Sequence, residues 1–578
     1  MKINKDLNKI SGIVLAMALK KLYPSIVLAD VEVGDQIANE WGFNYQFNLK
    51  ESISIKDLPK IKKEMEKLIA GNPAIKYEVV DKKELKELFK NNKYKLELLE
   101  DAKKVGVVKI GDYVDICEKL SIAKLSAIKN VELLNVGGMY WLHSAKNDQL
   151  QAISGIAFEN AGEKKAWEEE QKDRKERDHR EINKSMELFA FSDMSGAGLP
   201  YWLPAGAAAK FEIDNYIHKL LLRHGYSYVQ TPVLGRKELY ETSGHWFHYR
   251  ENMFAPCQID EDIEVLRPMT CPHHLTVYQM KQRSYKELPF KVFEDAILHR
   301  YESSGSLTGL QRVRQMRLID THMVCSLDQI AETVKGAYDC IQEAAKVFDL
   351  PPQWIELSLH DANNKEKFFD GEEKWQAAEN KLREVLKNMK VDYKEAVGEA
   401  AFYGPKIDMQ IKTALGNVVT AYTIQLDFLL PERFQLEFIN KDGKKERPVL
   451  IHASVIGTLE RFMSIMLEQN KGNFPVWIAP VQVALIPVSN EKHIGKCKEL
   501  QQFFLNNDIR VKLYNNDERV GKNIAVSQSA KDKYQIVIGD EELKGKNIKY
   551  RAYGSEKEVV SNLDEFLKLL KEQIASKK

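Results

Sequence analysis

Residues 299–314 read HRYESSGSLTGLQRVR, and residues 457–462 read GTLERF. In the first stretch Arg300, Arg312 and Arg314 flank a loop of small residues, a pattern that suits a hairpin presenting guanidinium groups to an anion. The planar guanidinium fork matches phosphate or carboxylate oxygens as a lysine cannot. In the second, Arg461 sits within an apolar helical pattern, and an arginine on a buried face is costly without an anionic partner. For any single arginine an internal salt bridge is the competing reading. The chain carries no GxxxxGK[ST], no GxGxxG after a strand and no HExxH. A P-loop ATPase, a Rossmann dehydrogenase and a zincin are therefore disfavoured.

Around these stretches the chain has 578 residues, with 85 Lys+Arg against 84 Asp+Glu and 44% hydrophobic residues. That composition argues for a multidomain globular protein, and a net charge of +1 singles out no partner. Nucleic-acid binding would have to come from local basic patches. No apolar run approaches the roughly 20 residues that span a bilayer, so no membrane association is expected. The six cysteines include no CxxC pair, which fits a reducing compartment, and a cytoplasmic location is expected. The apolar run Ile10–Leu19 after a basic start has the look of a short secretory signal. Lys20, Lys21 and the Leu22-Tyr23-Pro24 that follow fit an amphipathic helix better.

Alternating short apolar runs and charged helical patterns make residues 1–160 a mixed α/β unit. Residues 161–185 are mostly charged, with opposite charges at helical spacing (Glu170 with Arg174, Asp173 with Arg177), and predict a solvated connecting helix. Residues 186–477 are richer in Gly, Pro, Trp and Met. Residues 478–578 alternate strands and helices as a compact α/β module.

Taken together, the two arginine stretches resemble motifs 2 and 3 of the class II aminoacyl-tRNA synthetases. The flanking residues narrow the resemblance to the threonyl-tRNA synthetase family: Ser243-Gly244-His245-Trp246, Arg267-Pro268-Met269-Thr270-Cys271-Pro272, Phe402-Tyr403-Gly404-Pro405-Lys406-Ile407-Asp408 and Gln425-Leu426-Asp427-Phe428. Pro232 looks like the motif 1 proline of a dimer interface. The resemblance implies an α+β multidomain fold: an antiparallel class II sheet flanked by helices, an N-terminal α/β editing-like domain and a C-terminal α/β anticodon-binding domain. It also implies a homodimer that activates L-threonine with ATP as threonyl-adenylate and transfers it to tRNA(Thr).

By the same resemblance Cys271, His322 and His452 would hold one active-site Zn2+, an assignment their spacing alone does not suggest. One thiolate and two imidazoles leave a coordination position open, as in a working rather than a structural zinc. A hydroxyl-reading site rejects valine far more strongly than an apolar slot would. Arg300 would sit at the α-phosphate and the carboxylate, Glu302 and Arg312 would contact ATP with its Mg2+, and Arg461 would hold the terminal phosphates. Asp320, Tyr403, Lys406 and Gln425 would surround threonine, with Thr423 beside the nucleotide, and His245 would serve transfer to tRNA. After Arg314 the chain departs from the family: Met316 replaces an aromatic ring that would stack on adenine, and would itself bind ATP by covering the base face. Cys271-Pro272-His273-His274 replaces Cys-Pro-Gly-His.

The editing-like region departs further. The family's HxxxH and CxxxH pairs fall on Ile13 and Met17 and on Cys117 and Ser121, and no histidine precedes His143. Loss of seryl-tRNA hydrolysis is expected, as is absence of the family's N-terminal ubiquitin-like domain. In the C-terminal module Arg519, Glu542 and Arg551 align with anticodon contacts, where arginine and carboxylate read base edges. Two alternatives remain at this point: a catalytically silent synthetase-like protein that binds RNA, and a class II enzyme for another amino acid.

Overall fold

The computed structural model describes residues 4–34, 42–99, 104–144, 146–365, 367–369, 371–516, 518–545 and 547–578. Two compact units result, Met1–Arg174 and Lys175–Lys578.

In the first unit the apolar run near the start forms the helix Lys5–Leu22, whose Ile10, Ile13, Val14 and Leu15 are buried in the unit's core. It packs on a four-stranded antiparallel sheet ordered Val27–Val33, Phe43–Asn48, Gln149–Phe158, Asn130–Tyr140. Phe43, Tyr45 and Phe47 alternate with polar Asn44 and Gln46, so one face of that strand supplies three rings to the core. A second sheet joins Ile75–Asp81, Lys104–Ile110 and Tyr113–Ile116. Between these elements Lys95 and Asp115 form a buried ion pair. Tyr45 and Tyr113 donate to the same carboxylate at 3.1 and 2.9 Å.

The charged stretch is two helices rather than the single one expected. Ala161–Arg177 has no buried residue, as its all-round polarity demands. The chain then breaks at Asp178, whose side chain accepts from the Arg180 amide and starts a second helix, His179–Met186. That helix is amphipathic and buries His179, Ile182 and Met186.

The second unit is built on an eight-stranded sheet, ordered Ser227–Tyr228, Phe290–His299, Gln315–Cys325, Val449–Thr458, Val418–Asp427, Lys406–Lys412, Trp354–Leu359, Lys394–Val397. All pairings except the two at the edges are antiparallel. Because side chains alternate across a strand, Ile319, Met323, Ile424, Leu426, Ile451 and Ala453 all face one way. There they form the core with helices Pro204–Arg223, Ile330–Val347 and Leu459–Asn470. The opposite face is left for polar side chains. Residues 482–573 form a five-stranded sheet, parallel for Val511–Leu513, Val483–Pro487 and Tyr534–Ile538 and antiparallel for Asn547–Ala552 and Glu558–Asn562. Among the described residues no helix is long and apolar enough to cross a membrane.

Candidate active site

Strand register gathers residues that lie far apart in the chain. His322 pairs directly with His452, Asp320 with Ser454, Gln425 with His452, Thr423 with Ser454, and Lys406 with Gln425. Direct partners project to the same side of a sheet, so these side chains share the polar face. Cys271 reaches the same place from the first turn of helix Cys271–Gln279. The ligand atoms of Cys271, His322 and His452 lie within 4.8 Å of one another, and all three residues are buried.

The proton arrangement around this trio fits a cation. Arg267, Thr231 and His274 surround the Glu294 carboxylate at 2.8, 2.6 and 3.1 Å. Burial works against that charge, yet these hydrogen bonds hold Glu294 down at about 2. An ionised Glu294 accepts a hydrogen bond from the Nε2–H of His274, which leaves His274 Nδ1 to accept from His322 Nδ1 at 2.8 Å. The free lone pair of His322 is then on Nε2. On the other side His452 Nε2 donates to Asp427 at 2.9 Å, which leaves its lone pair on Nδ1. The two lone pairs face each other across 2.9 Å, beside the Cys271 sulfur. Burial and the neighbouring imidazoles push His322 well below its ordinary pKa, so a proton is a poor occupant. One sulfur and two imidazole nitrogens, each imidazole oriented through its far nitrogen, make a donor set that suits zinc.

Around the trio, Asp320 accepts from the Thr270 hydroxyl, and burial raises its pKa. Tyr403 stacks on His452 with centroids 4.8 Å apart and donates to Gln425 at 2.7 Å. Lys406 donates to Asp408 at 2.8 Å, and Asp408 also accepts from Ser358 and Thr423. His245 is fully buried: Nδ1 contacts Ser243 Oγ at 2.8 Å, Nε2 approaches the Met269 sulfur, and Phe402 lies edge-on. Burial drops its pKa to about 3, so the ring is neutral.

The arginines meet next to this pocket. The Arg300 amide donates to the Arg314 carbonyl at 2.9 Å and closes the hairpin, and its guanidinium donates to the Pro268 carbonyl at 3.2 Å. Arg312 pairs with Glu302 at 2.9 Å. Desolvation together with the Arg300 and Arg312 charges pulls Arg461 below its ordinary pKa, and only Glu302 opposes this. Three guanidiniums against one carboxylate is a cluster short of negative charge. Arg300 also acts electrostatically on Cys271 and Asp320, so it joins the two halves of the site.

Several expectations need correction. Arg461 keeps exposed surface in the first turn of its helix, although the surrounding protein partly desolvates its guanidinium, while its neighbour Glu460 is the fully buried charge. Met316 is 6% exposed and packs with Ala296, Leu298 and Val313, so it offers no open face for a base. His273 points away from the trio and contacts the Tyr240 hydroxyl at 3.0 Å. Glu542 and Arg551 line one cavity of about 220 Å³, whereas Arg519, at the N-cap of Val520–Ser529, is not part of its wall. In the first unit Ile13 and Cys117 are core residues with Met17 packed against them, and Ser121 is bound to Asp6 at 2.5 Å. Burial pushes the Cys117 thiol up to about 11. Sequence reasoning missed His274 and Glu294. Their signals were a histidine three residues after Cys271 on one helix face and the Glu294-Asp295 pair inside the otherwise apolar run 292–298.

Residues 256–470 match the family described as tRNA synthetase class II core domain (G, H, P, S and T), and residues 482–573 match Anticodon binding domain. A threonine–tRNA ligase of Ureaplasma parvum serovar 3 is 46% identical over 583 residues, covering 100% of both chains. The chain belongs to the threonine–tRNA ligase family. A threonine–tRNA ligase of Staphylococcus aureus is 43% identical over 568 residues, 98% of this chain and 87% of that one. Among solved structures, the RNA-binding domain of threonyl-tRNA synthetase from Cryptosporidium parvum matches with TM-score 0.64 and 32% identity, over 68% of this chain and 98% of that one. A threonyl-tRNA synthetase, ThrRS-1, from Aeropyrum pernix matches at TM-score 0.59 and 27% identity, over 69% and 97%.

Proposed function

We propose that this chain, as a cytoplasmic homodimer, activates L-threonine with ATP and Mg2+ and joins it to tRNA(Thr). The observation that carries the reading is the convergence of the Cys271–His322–His452 trio and the Arg300–Arg312–Arg461 cluster on one sheet. The threonine carboxylate attacks the α-phosphorus, pyrophosphate leaves, and threonyl-adenylate forms. A hydroxyl of the terminal ribose of tRNA then attacks the acyl carbon and AMP leaves. Arg300 positions carboxylate and α-phosphate together, Arg312 and Glu302 bind the nucleotide beside Thr423, and Arg461 takes the terminal phosphates, so the chain's work is orientation and charge stabilisation. Zinc held by Cys271, His322 and His452 would supply a Lewis-acidic position for the amino and hydroxyl groups of threonine. Asp320, Tyr403, Lys406 and Gln425 enclose the rest of the amino acid. His245, a neutral ring held between Ser243 and Met269 with Phe402 edge-on, serves the transfer step as a positioned hydrogen-bonding group. Glu542 and Arg551 contribute to reading the anticodon.

The first unit does not clear seryl-tRNA. Apolar packing at Ile13 and Met17 and the Asp6-bound Ser121 occupy the three positions where imidazoles would activate water, and a missing methyl gives only about 10–200-fold discrimination in binding. Charging of a tRNA(Thr) transcript with labelled threonine, and release of serine from seryl-tRNA(Thr), test both parts. Threonine is attached in an ATP-dependent reaction, and serine is released at the rate in buffer alone. Binding of the tRNA without charging would overturn the first part, and release well above the buffer rate the second.

A further inference from the structure

His179, the first residue of the helix His179–Met186, is 1% exposed. Its Nε2 receives the backbone N–H of Leu310 at 3.1 Å, and its Nδ1 lies 2.7 Å from Glu468, which is fully buried. An amide N–H can only donate, so Nε2 is the lone-pair nitrogen, and the ring's proton on Nδ1 goes to Glu468. Leu310 lies in a tight turn in which Thr308 and Arg312 exchange backbone hydrogen bonds at 3.2 and 3.3 Å. Gly309, in the same turn, has φ +46°, and a Cβ there would lie 2.1 Å from His179 Nε2, so the close approach requires glycine.

The second side of the turn is held from Glu468 as well. The Gln311 side-chain amide donates to both Glu468 oxygens at 3.0 and 3.2 Å, and the Gln311 carbonyl accepts from Arg461 Nε at 3.2 Å. Arg177 closes the assembly by donating to the carbonyls of Glu468 and Gln469 at the end of helix Leu459–Asn470. One imidazole from the linker therefore ties the turn that bears Arg312 to the helix that bears Arg461.

We infer that His179 and Glu468 are positioning residues that set the spacing of the Arg312 and Arg461 guanidiniums for the phosphates of ATP. The inference rests on the ATP-binding role proposed above for those arginines. Full-length His179→Ala, His179→Asn and His179→Gln test it by hydrogen exchange at the Leu310 amide and by separate KM values for ATP and threonine in ATP–pyrophosphate exchange. Glutamine places an acceptor where Nε2 was, whereas asparagine reaches only the Nδ1 position. Wild type and His179→Gln protect the Leu310 amide. The alanine and asparagine variants both lose the hydrogen bond from the Leu310 amide, release it and raise the KM for ATP about tenfold, with the KM for threonine unchanged. A Leu310 amide still protected in His179→Ala, or equal rises in both KM values, would overturn the inference. If the wild type shows no threonine-dependent exchange at all, the proposed function fails, while the amide measurement still decides whether His179 holds the turn.

Discussion

Replacing Glu460 by glutamine should stabilise the second unit at alkaline pH and leave it nearly unchanged at acid pH. Glu460 is 3% exposed, accepts the Arg317 amide at 2.9 Å, and burial raises its carboxyl from 4.5 to about 7. Between those two values the folded chain keeps a proton that the unfolded chain has released. Stability therefore falls as pH rises through the window, and the full cost is present above pH 7. At about 1.4 kcal/mol per pK unit, the loss between pH 5 and pH 8 is about 2–3 kcal/mol. Glutamine keeps the shape and the acceptor but has no proton to lose. For a cooperative unit the size of Lys175–Lys578, the Tm advantage of Glu460→Gln should grow by about 3 °C from pH 5 to pH 8. Thermal melts of both proteins across that range measure it, and every other titrating group cancels in the difference. A Tm difference that does not change with pH, or that shrinks as pH rises, would refute the reasoning.

Two other outcomes follow from buried polar groups. His274→Ala removes the link between Glu294 and His322, so zinc affinity measured by chelator competition should fall about 10–100-fold, and unchanged affinity would contradict the proton arrangement. Lys95→Met strands the Asp115 carboxylate in the first unit and should cost it about 3–5 kcal/mol, seen as faster amide exchange confined to Met1–Arg174. Unaltered exchange there would count against a buried charge pair.

The motif residues were legible because each lies in a short local pattern. Their meeting was not. His322 and His452 are 130 residues apart, and only the antiparallel register sets them side by side. Arg461 was misread because an apolar helical pattern does not say which residue at its first turn faces the core. Glu460 does so, and the arginine lies at the edge of the site instead. Met316 was read by analogy with a ring, but its strand face leads into the small cluster with Leu298 and Val313. His179 lies in the charged linker, where nothing in the residue pattern marks it as buried. Its burial depends on a chain break at Asp178, which composition alone does not reveal.

The central claim, that a hydroxyl-reading metal pocket and a phosphate-binding arginine cluster serve one substrate, meets its most direct test in amino-acid-dependent ATP–pyrophosphate exchange. Threonine, serine and valine would be compared on zinc-loaded protein. The account predicts strong exchange with threonine, weaker exchange with serine and none with valine. Equal exchange with valine, or none with any of the three, would contradict it.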